Sequence, residues 1–286
     1  MALGTNHNTT TVAAKFIPEL WSDEVIAGYK KNLVLANLVT RMNHVGKKGD
    51  SIHIPAPARG AANAKAASTQ VTLNAPSHSE VIVTIDKHYE YSTLIEDIVE
   101  KQALSSMRRF YTEDAGYALA TQVDTDLFAL VSALNGGTQL GGDGGGSSAD
   151  ISDAGIRKFM LTLDDNDVPM TGRSLVIPPV AKSDLLGINR FTESAFIGDG
   201  GAIKTGNIGN VYGVDVFVSS ACPTSGSDRV GVMLHKDALV LAEQQGVRSQ
   251  TQYQQQYLGD LFTADTLYGV KELRDNAGVS FLVPSA

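Results

Sequence analysis

Ser51-Ile52-His53-Ile54, then Ala56-Pro57-Ala58-Arg59-Gly60-Ala61-Ala62-Asn63-Ala64-Lys65-Ala66-Ala67-Ser68, then Val81-Ile82-Val83-Thr84-Ile85: this stretch, set between Gly46 and Tyr91, decides how the chain is read. Its two ends alternate with period two, as the strands of a two-stranded ribbon do. The middle has almost no large apolar side chain, so it cannot bury enough surface to offset its own ordering entropy. A projecting hairpin of this kind is marginal alone in water. The sequence therefore predicts a ribbon that packs little on its own fold and is covered by another subunit, which points to an assembly protein rather than an enzyme.

Working outward, the 286 residues are 43% hydrophobic and 19% charged, enough for one large core or two modest ones. The charged share lies below the usual ~25%, so part of the polar surface is expected to be interface. Net charge is −8 and uneven. Residues 1–65 hold eight bases (Lys15, Lys30, Lys31, Arg41, Lys47, Lys48, Arg59, Lys65) and four acids (Glu19, Asp23, Glu24, Asp50), giving +4 and leaving −12 for the rest. An acidic body with a basic arm is unlike a nucleic-acid reader, which needs a concentrated positive face. It suits arm-to-body contacts between neighbours, the plain alternative being a chance imbalance on solvated faces. The single cysteine, Cys222, excludes an internal disulfide framework and reads as a small structural residue. No apolar run approaches the ~20 residues of a membrane span, and the N-terminus lacks the pattern of a signal peptide. A reducing cytoplasm is the expected place of synthesis.

Residues 1–15 read as a flexible arm, followed by a helix that starts near Pro18 and carries Trp21, and an apolar segment from Leu33 to Val39. Past the ribbon, apolar spacing from Thr93 to Asn135 predicts a long helical spine with room for a break at Ala103–Ser106, stopped by Asn135-Gly136-Gly137. Thr138–Ala149 reads as a flexible glycine-rich linker. A helix capped by Ser152 follows, then a strand at Leu175–Ile177 stopped by Pro178-Pro179, and a short helix to Leu186. Asn189–Asn210 reads as a long loop. Strands are expected at Val211–Ser219, Val230–Leu234, Ala238–Ala242, Leu261–Leu273 and Gly278–Val283. The spine and last strands would form one domain, and residues of about 170–230 a second layer around their own small sheet.

The search for chemistry is negative. Gly141-Gly142-Asp143-Gly144-Gly145-Gly146 lacks the Lys-Ser/Thr of a phosphate loop, and Gly198–Thr205 has Ile203 where that loop needs glycine before its lysine. The six histidines show no paired ligand spacing, so no metal or cofactor is expected. There is no nucleophile elbow, and Cys222 has no local sign of activation. Asp164-Asp165-Asn166-Asp167 reads as a helix end running into a turn, not an EF-hand. Tyr253 and Tyr257, set among glutamines, read as a polar strand or interface.

The order of elements resembles the major capsid proteins of tailed bacteriophages, with the Hong Kong 97-type fold. Phe16–Ser22 and Leu33–Val39 resemble the N-terminal arm of that family, and Gly49–Pro55 the entry to its extended loop. Thr93–Asn135 resembles the spine helix, Val211–Ser219 an axial-domain strand, and His235–Leu239 with Ala264–Lys271 the returning peripheral strands. The resemblance covers nearly the whole chain without one diagnostic motif. It implies an α+β fold with an arm (1–48), an extended β-hairpin loop (49–91), a peripheral domain with the spine (92–168 and 231–286) and an axial domain (169–230). It implies no catalysis and no cofactor, but a shell of hexamers and pentamers around double-stranded DNA, enclosed without sequence-specific binding or a membrane. Expected partners are the chain itself, a portal, a separate scaffolding protein or none (the chain opens directly at the arm), and a cement or decoration protein. The location implied is the virion capsid, assembled in the host cytoplasm. Subunit contact is expected at Trp21, Ile52, Ile54, Arg59, Lys65, Val71, Leu73, Arg190, Phe191 and Phe196. The Lys/Asn/Glu trio that crosslinks some members does not map, Lys65 being the one lysine in the middle of the loop. Rival readings are an encapsulin around protein cargo, a mixed α/β enzyme with a lid at Ala56–Ser79, and a decoration or tail-tube subunit.

Overall fold

The computed structural model describes residues 34–46, 48–57, 60, 62–74, 78–98, 107–188 and 209–285. The arm before residue 34, the expected spine break and nearly all of the Asn189–Asn210 loop lie outside them.

The first of two large sheets is built on a hairpin, β11 (Leu239–Gln254) with β12 (Gly259–Glu272). To it β1 (Thr40–Asn43) adds in parallel, and β4 (Lys87–Glu96) adds antiparallel to β12, giving the order β1-β11-β12-β4. Side chains in a strand alternate between faces, and β11 uses both. Leu239 and Leu241 join the core under the spine helix α2 (Met107–Val131), which contributes Leu127, Phe128 and Val131. Val240 and Ala242 face the other way, onto Val83 and Ile85 at the base of the ribbon. Farther along the spine, Ala115 and Leu119 sit one helical turn apart and pack on Phe262 and Ala264.

The ribbon is β2 (Ser51–Pro57) paired antiparallel with β3 (His78–Thr84), from Ser51 opposite Thr84 to Pro57 opposite His78. Its strands are where period-two alternation puts them. Its independence is corrected, however: Val83 is fully buried, Ile85 is buried, and Ile52 and Ile54 are half-buried in the same cluster. The contact is close enough that a side chain on Gly269 would meet the Thr84 carbonyl oxygen at 2.1 Å. Thr93–Glu96, expected to open the spine helix, instead extends β4, with Leu94 opposite Leu261 and Ile95 opposite Asp260. Pairing along β12 outweighs the local helical spacing.

The second sheet has the order β5-β13-β10-β6-β8-β7. Its strands are β5 (Leu140–Gly141), β6 (Arg173–Ile177), β7 (Asn210–Val211), β8 (Val214–Val218), β10 (Asp228–His235) and β13 (Gly278–Pro284), with the short β9 (Thr224–Ser225) on β10. The middle segment therefore does not close a small sheet of its own, since β13 returns from the far end of the sequence to pair with β10 and β5. One face packs on helices α3 (Asp153–Asp165) and α4 (Pro179–Leu186) through Phe159, Leu163 and Leu185. The other face, through Val176, Val232 and Leu234, completes the core beneath the spine.

Two terminators read from sequence act as expected. The Ser152 hydroxyl accepts the Gly155 N–H at 3.2 Å and caps α3. After the spine, Asn135, Gly136 and Gly137 take φ of 56°, 64° and 74°, and the Gly136 N–H donates to the Asp275 carboxylate. The glycine-rich segment after them is not a flexible linker. Gly142 N–H donates to Leu282 O at 3.0 Å and Gly142 O accepts from Ser152 N–H at 3.1 Å, fixing the loop between β13 and α3. Its glycines serve close backbone packing: a Cβ on Gly141 would meet Ser147 O at 1.9 Å.

Candidate subunit-contact surface

From the locked base the ribbon rises into solvent. A cross-strand pair, His53 Nδ1 to Glu80 Oε2 at 3.0 Å, lies on its exposed side. Past β2, every described residue from Gly60 to Asn74 is exposed. Val71 is 59% exposed and Leu73 87%, which decides that neither belongs to the subunit's own core. Asn63 Nδ2 donates to Asn74 Oδ1 at 2.6 Å across the two limbs, and Thr69 N–H and hydroxyl both reach Ala66 O, with Ser68 at φ 62° making the turn. Lys65 is exposed nearby. Of the expected contact residues, Lys65, Val71 and Leu73 thus lie together in the exposed tip, whereas Ile52 and Ile54 face the chain's own sheet. Trp21, Arg59, Arg190, Phe191 and Phe196 lie outside the described residues.

Two carboxylates on the spine, two positions apart and so on opposite sides of the helix, hold what the ribbon stands on. Asp124 is fully buried and accepts the Val34 N–H at 3.2 Å and the Ala36 N–H at 2.8 Å, at the start of the short helix α1 (Leu35–Leu38). Burial pushes its pKa above the usual carboxylate value, and the N–H donors of Ala36, Val34 and Leu35 pull against that shift. Asp126 accepts the Tyr268 hydroxyl at 2.7 Å and lies 3.4 Å from Lys87 Nζ, tying the spine to β12 and β4. Replacing Asp124 by Ala leaves these part-buried N–H groups without their acceptor. We expect a loss of about 1–3 kcal/mol in urea unfolding of the subunit, with Asp124→Asn, which keeps one acceptor oxygen, losing less. Equal stability of Asp124→Ala and wild type would remove Asp124 from this role.

A third acid sits on the hairpin. Asp265 accepts from Arg248 through Nε at 3.1 Å and Nη2 at 3.0 Å, and from Gln245 Nε2 at 2.6 Å, with His88 Nε2 at 3.3 Å. The Arg248 guanidinium leads in holding its carboxyl below the usual range, with His88 and Gln245 adding to it against the opposing effect of burial. This cluster clamps β11 where its register with β12 shifts, between Glu243 and Arg248. Close by, a groove of about 330 Å³ opens between α1, the spine and β11, lined by Leu119, Val123 and Leu241 with Arg41 and Glu243 at its polar side.

None of this is arranged as a catalytic centre. Cys222 is buried and its thiol is pushed up to about 12, chiefly by burial, which leaves it unreactive near neutral pH. Among the described residues no group of three or more His, Cys, Asp or Glu side chains could hold a metal ion, and no helix is long and apolar enough to cross a membrane. Sequence reasoning missed Asp124 and Asp265. No local motif marks either of them, and their partners lie 88–90 and 17–20 residues away, with His88 farther still from Asp265.

A family model described as phage capsid protein matches residues 80–279. No curated protein matches in sequence. Among solved structures, one from Mycobacterium phage Che8 is 28% identical and superposes with a TM-score of 0.80, over 93% of this chain and 97% of that one. The capsid structure of cyanophage P-SCSP1u is 19% identical with a TM-score of 0.76, over 99% and 97%. The capsid of a native GTA particle is 12% identical with a TM-score of 0.67, over 98% and 99%. These last two share the fold. With the match to the family model spanning most of the sequence, the chain belongs to the phage capsid protein family: it is a structural major capsid protein of the Hong Kong 97-type fold, whose copies build an icosahedral shell.

Proposed function

We propose that the chain forms hexamers and pentamers of one closed shell that encloses the double-stranded DNA of a tailed phage, with no catalytic role. The observation that carries this is the exposed ribbon tip on a buried base. Val83 and Ile85 fix where the ribbon points, while Val71 and Leu73 stay in water until something covers them. The base of the ribbon is held before docking, so only the exposed tip has freedom left to lose, which favours repeated contact with identical neighbours. The ribbon and residues 1–48 lie across those neighbours, with Trp21, Arg59, Lys65, Val71 and Leu73 at the contacts. Residues 169–230, with Arg190, Phe191 and Phe196, face the symmetry axes as the axial domain, and residues 92–168 with 231–286 form the peripheral one. An overall charge of −8 suits DNA that is contained rather than gripped. A portal, a separate scaffolding protein and a cement protein complete the partners, and assembly takes place in the host cytoplasm.

Purified protein, alone or co-expressed with its scaffold, is expected to sediment as large particles that electron microscopy shows as shells. Stable monomer under both conditions overturns the proposal, and shells packed with protein cargo turn it to the encapsulin reading. We also expect the shell to be held without covalent crosslinks. Boiled particles should run as a single band near 30.3 kDa without reductant. A ladder of multimers would refute this and make Lys65 the first residue to mutate.

A further inference from the structure

Asn135-Gly136 is the single Asn-Gly pair in the chain. Asparagine is a labile residue, and a following glycine makes it most so, because no side chain keeps the next backbone nitrogen away from the carboxamide. In the reaction, the Gly136 nitrogen bonds to Asn135 Cγ and the carboxamide C–N bond breaks. Ammonia leaves with the proton that the backbone nitrogen gave up. Water then opens the cyclic imide to aspartate or isoaspartate. Neither enzyme nor oxidant is needed. What is needed is a Gly136 nitrogen that can lose its proton and turn towards Asn135 Cγ.

The fold leaves the pair within reach of water but holds both requirements in check. Asn135 is half-buried and Gly136 exposed, just past the spine helix. The Gly136 N–H donates to both oxygens of the Asp275 carboxylate, at 2.9 and 3.0 Å. A hydrogen bond to an anion keeps the nitrogen protonated, since a second negative charge beside the first is disfavoured. The main chain around it is fixed as well. Asn135 N–H donates to Asp275 O at 3.1 Å, Gly137 N–H to Ala133 O at 2.9 Å, and Thr138 N–H to Asn135 O at 3.2 Å. Asp275 opens the one-turn 3-10 helix Asp275–Ala277, 139 residues beyond Gly136, so an unfolded chain lacks this protection.

The joint is one where damage would matter. Leu134 and Ala277 are both buried in the core beneath the spine. Isoaspartate at position 135 would lengthen the main chain there and set a new carboxylate near Asp275. Burial, and then the Asp275 charge, already push the Glu272 carboxyl above its usual range, with Lys271 opposing. A further negative charge adds to that strain.

We propose that Asn135 is a site of spontaneous deamidation in this chain, and that the Asp275 carboxylate is the positioning group that delays it in the folded protein. The inference concerns the lifetime of the subunit and goes beyond the shell reading.

Peptide mapping of the full-length protein, aged in mildly alkaline buffer, tests it by following ammonia loss and isoaspartate at Asn135. The folded wild type should lose Asn135 at least about tenfold more slowly than the same chain kept unfolded in urea. Asp275→Ala should raise the rate in the folded protein about tenfold, and Asp275→Asn, which keeps the shape without the charge, by less. Gly155→Ala strains the fold at a distant loop and should leave the rate near that of the wild type. An unfolded chain that keeps Asn135 intact over the same period refutes the site. Equal rates in folded and unfolded wild type refute the protection. No acceleration in either Asp275 variant removes Asp275 from the role, and slower loss would make its carboxylate a base that promotes the reaction. Equal acceleration by Gly155→Ala would mean that opening of the whole fold carries the reaction, which also refutes Asp275. Should Asp275→Ala not fold, Asp275→Asn decides.

Discussion

A chain in which residues 61–75 are replaced by a short Gly-Ser turn is expected to fold and to fail to assemble. The described residues 62–74 are all exposed, and Val71 and Leu73 bury little, so their removal costs the subunit almost none of the ~1.5–3 kcal/mol that a fully buried apolar side chain contributes. The base is untouched: Ser51–Pro57 still pairs with His78–Thr84, and Val83 still packs on Val240 and Ala242. Circular dichroism and a cooperative melt should therefore match the wild type to within a few degrees. In a lattice the same contact recurs in every subunit, and losses multiply, because closure needs all of the contacts at once. Shell yield by sedimentation should fall by more than about tenfold. Normal shells from this variant would show that the tip is not an intersubunit element. An unfolded variant would place the tip in the subunit's own core.

The second large effect lies in the glycine-rich loop. A methyl group on Gly155 would meet Gly142 O at 1.9 Å, Gly142 C at 2.8 Å and Asp143 C at 3.0 Å, all backbone atoms that no side-chain rotation can clear. Gly155→Ala must push the loop off α3 and strain its bonds to Leu282 and Ser152. Overpacking of this kind costs about 1–3 kcal/mol, and the melting temperature should drop by about 2–4 °C for each of those kcal/mol. A methyl group on Gly146, in the same run, would meet nothing within 4 Å beyond its chain neighbours, so Gly146→Ala is the control and should melt like the wild type. If the two variants melt alike, the segment is the loose linker that its composition suggests.

That loop also shows where the sequence stops being legible. Local signals were reliable: Ser152 as a cap, Pro178-Pro179 ending a strand, the period-two ends of the ribbon and the turn at Asn166–Asp167 all act within a few residues of themselves. The glycine run looks identical whether its glycines are there for freedom or for contact, and only α3 and β13, packed around it, decide that they are there for contact. Thr93–Glu96 failed for a related reason, since its partner on β12 lies more than 160 residues downstream. At the candidate surface, the absence of large apolar residues made the exposed tip readable, with Lys65, Val71 and Leu73 in it. The burial of Ile52 and Ile54 was not readable, because the strand they pack on is β11.

The sheet topology has a consequence for the order of events on the ribosome. Thr40–Asn43 emerges early and waits for Val240–Glu243, and Val83 waits for Val240 and Ala242. Leu140 and Gly141 wait for Phe281 and Leu282, which take the place between β5 and β10. No stable half-product can form in which the ribbon is already anchored while the later strands are unmade. Such distant pairing slows folding and prolongs exposure of sticky intermediates. It also acts as a timer. A nascent chain has the base of its ribbon anchored only once Val240 and Ala242 have been made, about 155 residues after Val83 and Ile85.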